Sequence, residues 1–383
     1  METHLTQELQ RVKWEKFRIG DLFEIGTGSL LSSSELSAGD IPRISAKSDN
    51  NGVLGYYSTL NSENARHFEN FISVNFFGTD GGIFYHPYKA SVEMKVHTLK
   101  ILGTELNRRT GNFIASALRK VLCDFGYGNQ LSSSKLKELD FRVVLPTLNG
   151  KIDFDFMENF ISQLEAFRIS QLEAYLLATG LKDYTLNPEE NQSLRDFECG
   201  KIQWKTIKIT DLFNVKNTRN ILSRDIVENS GDIPYLSASR ENNSVSSYIS
   251  YDENYLDEGN CIFIGGKTFV VTYQEKDFYS NDSHNLSLYL KETQNRNRHN
   301  QLFLASCIYK GLDYKYSWGD SISNKKIQVD VIRVPMKNNK LDYDYMALLI
   351  SAIQKLVIKD VVLYADRKIA ATKQIIECNN TKR

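Results

Sequence analysis

Trp14–Phe23 reads WEKFRIGDLF, and about 190 residues later Trp204–Phe213 reads WKTIKITDLF. Working outward from this pair, Gly39–Ala46 (GDIPRISA) returns as Gly231–Ala238 (GDIPYLSA). Asn50-Asn51 returns as Asn242-Asn243, and Lys151–Met157 (KIDFDFM) as Lys340–Met346 (KLDYDYM). The markers keep their order at offsets of 189 to 192. Solenoid units repeat every 20–50 residues or so. What is copied here is therefore a whole domain with its connector.

The 383 residues suit two or three domains. The 41% hydrophobic content, with 20 Phe and 20 Tyr, is enough for ordinary cores. Mean hydropathy is −0.38 and no long apolar run occurs, so no membrane-spanning helix is expected. The polar start METHLTQELQRV lacks the apolar stretch of a secretory signal. Cys123, Cys199, Cys261, Cys307 and Cys378 are dispersed, odd in number and form no C-x-x-C pair. That spacing predicts neither a disulfide framework nor a structural zinc site, and it fits a reducing cytoplasm. Lys+Arg and Asp+Glu both number 47, so the net charge is zero. Such a chain grips nucleic acid only through local patches or with a basic partner.

Each half opens with about 130 residues of short Ile-, Val-, Phe- and Tyr-rich runs separated by Gly, Asn, Asp and Ser, a β-rich pattern. Short helices are expected at Asn112–Cys123 and Gln301–Lys310, and then a strand leading into Pro146 or Pro335. A long helix follows in each half, over about Asp153–Thr179 and Asp342–Cys378, roughly 40 and 55 Å at 1.5 Å per residue. Asp153 and Asp155 suit the first helix start, where negative charge meets the positive end of the dipole. The apolar stripes include Met157, Phe160, Leu164, Phe167 and Leu172 in the first helix, and Met346, Leu349, Ile353, Leu356 and Tyr364 in the second. The bland reading has each helix covering its own domain. Their length favours packing on each other, because a long apolar stripe seeks another helix. The fold class is thus α+β, with two repeated β-rich domains separated by two long antiparallel helices forming a coiled-coil spacer. The expected divisions are domain 1 at 1–150, first spacer helix 151–180, linker 181–200, domain 2 at 201–340 and second spacer helix 341–383.

Two copies of a scaffold at a fixed distance suit a ligand with two separated sites. Duplex DNA presents its major groove on one face every 34–36 Å or so, near the helix lengths. Between the shared markers the halves diverge: Gly26–Ala38 against Asn214–Ser230, and Gly103–Asn112 against Lys291–Asn300. Arg and Lys fork to guanine, Asn and Gln to adenine. The candidate DNA contacts are therefore the loop cations Arg108, Arg109, Arg219, Arg224, Arg296 and Arg298, with Arg43, Lys47 and Lys267 beside framework turns. A solvated surface charge is the alternative for each. Tyr56, Tyr127 and Trp318 are placed either to stack near DNA or to enter the core.

At this point the ordered, duplicated set resembles the specificity subunit of bacterial type I restriction–modification systems. The KIDFDFM and KLDYDYM helix openings look more like the related type IIB branch. The resemblance covers nearly the whole chain, from about Trp14 to Cys378. It implies two target-recognition domains, two antiparallel spacer helices and a bipartite double-stranded DNA target. It also implies DNA methyltransferase (modification) subunits docked on the helices, with a restriction nuclease subunit or a fused methyltransferase–nuclease. The chain itself would be non-catalytic and hold no cofactor; S-adenosylmethionine, Mg²⁺ and ATP would belong to the partners. The unequal helix lengths depart from a symmetric pattern.

Consistent with this, no Asn/Asp-Pro-Pro-aromatic methyltransferase motif occurs, and Gly265-Gly-Lys-Thr268 falls short of a P-loop. The enzymatic rival is Asp80 with Glu93-Met-Lys95, whose spacing suits a metal-dependent nuclease. Strand alternation is the plain explanation of that triplet. A duplicated protein- or carbohydrate-binding module is the other rival. His97 and His284 look like repeat equivalents, either structural in the sheet or contacting phosphate.

Overall fold

A computed structural model describes residues 2–380 except 33, 35, 78–81 and 127, with side chains described from residue 3 to residue 371. The chain divides into two compact units, Met1–Ala174 with Lys368–Arg383, and Tyr175–Arg367. Strands precede a long helix in each half, as the α+β pattern predicted.

In the first unit, strand Lys13–Arg18 pairs antiparallel with Arg142–Leu148, setting Trp14 opposite Pro146. A four-stranded sheet runs in the order Phe23–Thr27, Val96–Ile101, Phe71–Asn75, Ile83–His86. A second one runs Val53–Tyr57, Ala38–Ile44, Ala90–Val92, His67–Phe68, with Ala38–Ile44 parallel to Ala90–Val92. Helix Arg108–Val121 packs on strand Ile83–His86. A Cβ at Gly111 would come within 2.3 Å of the Tyr85 ring, so this close approach needs glycine.

The second unit repeats the plan. Trp204 faces Pro335 in the pair Gln203–Lys208 with Val331–Lys337. The four-stranded sheet runs Phe213–Asn217, Leu286–Leu290, Cys261–Gly265, Val270–Gln274. The remaining sheet has three strands, Val245–Ile249, Ile233–Leu236 and Tyr279–Ser280. Helix Arg298–Leu312 takes the place of Arg108–Val121. The Asn-Asn markers now have a cause. Asn50, Asn51, Asn242 and Asn243 all have φ between 47° and 52°, a left-handed region that asparagine tolerates better than other side chains.

Both short helices start earlier than the apolar spacing predicted. Asn107 and Asn297 cap them, accepting from the N–H groups of Thr110 and Asn300. Arg108, Arg109 and Arg298 therefore stand on first helical turns, not in free loops.

The long helices span Phe154–Ala178 and Tyr343–Asn380. Asp153 and Asp342 accept from the N–H groups of Phe156 and Tyr345 and so cap them alike. Their first turns belong to the domain cores: Met157 is buried with Ile114 and Leu118, and Met346 and Leu349 with Phe303 and Leu304. Phe160 stacks edge-on against Phe113 of its own domain, and Leu164 lines a groove there; Phe167 and Leu172 are half-buried. In the second helix Ile353, Leu356 and Tyr364 are exposed, while Ala352, Val362 and Ala365 are buried.

Among the described residues, two helices of ten residues or more were missed. Pro188–Glu198 forms where a loose linker was expected; Asn187 caps it with a reciprocal Glu190 bond and Pro188 sits in its first turn. Glu190 is buried and takes bonds from Ser351 (2.6 Å) and Lys355 (3.1 Å). Lys355 also bonds Asp183, and Lys182 pairs with Asp366 at 3.5 Å. As the number rises from 182 to 190, its partner falls from 366 to 351. The connector thus lies antiparallel along the second long helix. Glu2–Arg11 is the matching leading helix of the first unit, where Glu8 accepts from Gln163 of the first long helix.

Candidate nucleic-acid interface

In each domain the turns after the framework strands converge at one end of the sheets. In the first, Glu93 N–H donates to Ile44, Phe76 N–H to Lys95, and Leu131 N–H to Phe76, at 2.7–3.0 Å. In the second, Asn281 N–H donates to Leu236 and Ile322 N–H to Gly266. Thr268 Oγ1 donates to Ala238, and Gly266 N–H to Asn285 Oδ1. Backbone and short polar side chains thus fix several loops side by side.

Lys47 and Lys267 lie in these loops, each in one ion pair, with Asp49 at 3.1 Å and Asp282 at 2.8 Å. Burial alone would raise the Asp282 carboxyl; hydrogen bonds from Lys267 and His284 outweigh it and hold it down at about 2. Arg219 and Arg224 are exposed in the following segment. Arg219 bonds the Leu256 carbonyl and, through its N–H, Asp257; Arg224 approaches Asp225 at 3.7 Å.

Arg108, Arg109, Arg296 and Arg298 sit at the other end. They follow Ile101 and Leu290, the far ends of strands that start at the loop cluster and run about 16–20 Å at 3.3 Å per residue. Arg108 is exposed. Arg109 is shared between Glu158 and Glu165 of the first long helix. Arg296 is only 17% exposed, bonding the Leu290 carbonyl beside Glu258. Arg298 stays largely exposed, 3.8 Å from Glu275.

Arg43 corrects the sequence expectation outright. Its side chain is 1% exposed, donating to Ser91 Oγ at 2.7 Å and the Ser29 carbonyl at 3.0 Å. It holds a loop from beneath and presents no charge to a ligand.

The two histidines are not equivalents. His97 pairs with Thr27, and the matching register sets Leu286 opposite Asn217, so His284 lies two residues earlier. His97 is buried, stacked on Phe76 and bonded to the Leu131 carbonyl. Burial pushes its pKa down, so it serves the sheet as a neutral ring. His284 is exposed beside Asp282.

Of the nuclease rival, Asp80 lies outside the described residues. Glu93 and Lys95 occupy a turn between strands, not an alternating strand. Among the described residues no group of three or more His, Cys, Asp or Glu is placed to hold a metal ion.

Sequence reasoning named Lys95 only for the nuclease rival and missed Arg240 in the loop cluster. Arg240 stands two residues past the repeated GDIPYLSA marker inside a polar turn, the signal that would have found it. Tyr56 and Trp318 are exposed, and Tyr127 lies outside the described residues.

A second duplicated feature lies where the long helices leave their domains. Trp14, Phe113, Lys120, Phe160 and Leu164 line an apolar groove of about 600 Å³. Trp204, Phe303, Lys310, Leu349 and Ile353 line another of about 600 Å³. Trp14 stacks on Phe113, and Trp204 on Phe303, both at 6.3 Å. Among the described residues no helix is long and apolar enough to cross a membrane.

The chain matches the model of the type I restriction modification DNA specificity domain twice, over residues 11–174 and 201–363. It is 30% identical over 160 residues to the type II restriction enzyme BgcI specificity subunit S.BcgI of Heyndrickxia coagulans, covering 42% of this chain and 46% of that protein. The chain thus aligns with about half the length of that relative. Its fold is similar to the S subunit of a type I restriction-modification system from M. genitalium, with a TM-score of 0.56 and 15% identity over 96% of this chain and 95% of that one. With most of both halves matched, the chain belongs to the type I restriction–modification DNA specificity family.

Proposed function

We propose that the chain reads a bipartite double-stranded DNA target, one domain per half-site, with the two long helices lying antiparallel as the spacer. One observation carries this reading. Two backbone bonds recur at the loop-bearing end, Glu93 to Ile44 as Asn281 to Leu236 and Leu131 to Phe76 as Ile322 to Gly266, while the loops themselves differ in sequence. A common platform with different polar edges is what two readers of different base sequences require. The antiparallel course of residues 182–190 along the second helix supports the spacer. Lys47, Lys267, Arg219 and Arg224 supply exposed or partly exposed cations toward the loop-bearing end, while Arg108 and Arg298 lie exposed at the other end and Arg109 and Arg296 brace their surroundings.

DNA methyltransferase subunits, with a restriction nuclease subunit or a fused methyltransferase–nuclease, dock on the duplicated grooves and on the exposed apolar residues of the second long helix. These partners supply S-adenosylmethionine, Mg²⁺ and ATP chemistry and further phosphate contacts, which answers the zero net charge. The complex works in the cytoplasm. Mapping methylation in cells with the chain, and with residues 14–150 exchanged for those of another family member, tests the reading. The exchange changes one half of the target and leaves the other. A change in both halves, or in neither, refutes one domain per half-site.

A further inference from the structure

The second domain carries an aromatic ring and a cation that the chemistry above leaves unused. Trp318 is 80% exposed on the turn Ser317–Asp320, closed by mutual backbone bonds between its ends. That turn stands on Tyr316, whose hydroxyl donates to buried Asp330 at 2.6 Å, while Lys315 binds the other carboxylate oxygen. The indole is therefore held out to solvent by a rigid footing. Arg240, in the turn after GDIPYLSA, is exposed, and no hydrogen bond or ion pair holds it among the described residues. Arg240, Thr268, Tyr309, Asp313, Tyr316 and Trp318 line one cleft of about 540 Å³ in the loop cluster.

We infer that this cleft holds one strand of the second half-site, with Arg240 neutralising a phosphate and the Trp318 ring packing on the adjoining nucleotide. The inference rests on the DNA-reading function proposed above and deepens it. An arginine beside an exposed aromatic is the composition of an energetic anchor, and ring–nucleotide stacking tolerates many sequences. The arginine is particular to this half, because Ser48 occupies the first domain's counterpart of Arg240, whereas Tyr127 stands in sequence where Trp318 does.

The test uses the full chain assembled with its partner subunits and a duplex bearing the target located by methylation mapping. Of the three tryptophans, Trp14 and Trp204 are stacked on phenylalanines, so acrylamide quenching reports Trp318 first. Bound duplex shields this fluorescence, and W318F abolishes the shielded component while keeping most of the affinity. W318A weakens binding about tenfold or more. R240A weakens it across sequences and lowers the slope of log K against log salt by about 1. Recognition of the first half-site is unchanged in every variant. If the unaltered complex binds its target while Trp318 stays open to acrylamide, and W318A and R240A bind as tightly, the inference is overturned and the DNA-reading function stands. Shielding of Trp318 by the partner subunit without DNA assigns the patch to protein and overturns it too. A complex without preference for any bipartite duplex removes the underlying reading, and this contact with it.

Discussion

Arg43 of the first domain and Tyr235 of the second occupy the same place in the repeat, and both are buried. Arg43 reaches the Ser29 carbonyl at 3.0 Å, and the Tyr235 hydroxyl reaches the Ile221 carbonyl at 2.7 Å. Ser29 and Ile221 are themselves equivalents, each donating its N–H to the strand beneath, to Val92 and Ser280 at 2.9 Å. Two unlike side chains thus make one and the same bond. What the domains share is a set of backbone anchors beneath the loops, and side chains are exchanged freely wherever an anchor survives. The loops above are bound by no such requirement, and they have diverged.

The sharpest way to break this view is at the helix origins. Met157→Ala and Met346→Ala each remove a fully buried side chain, and each should cost about 2–5 kcal/mol in urea unfolding. A large loss in one domain alone would mean that the two cores are not built alike. Next comes the anchor itself. Arg43→Ala leaves buried acceptors unmet and should cost about 2–3 kcal/mol, whereas Arg43→Tyr should recover part of that loss. Equal losses for both variants would show that Arg43 is not a stand-in for the tyrosine.

Glu190 gives a smaller effect with a pH signature. Burial raises its pKa, but bonds from Ser351, the Asn187 N–H and Lys355 outweigh this and hold it below the ordinary glutamate value. A carboxyl lowered by folding stabilises the protein above its unfolded pKa, and the gain is lost as pH falls through the folded value. Glu190→Gln should therefore cost about 1–3 kcal/mol near neutral pH and progressively less in acid. An unchanged difference between pH 7 and pH 3 would separate the connector's stability from this ionisation.

Smallest of all, Ile353→Ala and Leu356→Ala should change the unfolding free energy of the chain alone by about 0.5 kcal/mol or less, since both side chains are exposed. Their effect should appear as weaker partner binding in sedimentation. Full partner affinity in both variants would locate the docking surface elsewhere.

The order of the repeat, the β-rich character of both domains and the long helices were legible in the linear text. Each depends on local periodicity or on a motif copied whole, and the Asn-Asn turns carry their own conformational reason. The leading helix Glu2–Arg11 and the connector helix Pro188–Glu198 were not legible from apolar spacing, because they are short and polar, the second being held by its Asn187 cap and both by polar bonds to a long helix. Among the candidate contacts, residue type alone could not separate Arg43 from Lys47. Arg43 lies in the framework strand and Lys47 just past its end, yet one is turned beneath a loop and the other outward, and strand pairing decides which. The same holds for Arg109 and Arg108, neighbours on one helical turn of which only the first faces the carboxylates of the long helix. Chain order alone determined that a platform was built twice. Tertiary packing decided which of its charges remain free to meet a ligand, because a charge is spent wherever a partner from a distant segment comes within hydrogen-bonding reach.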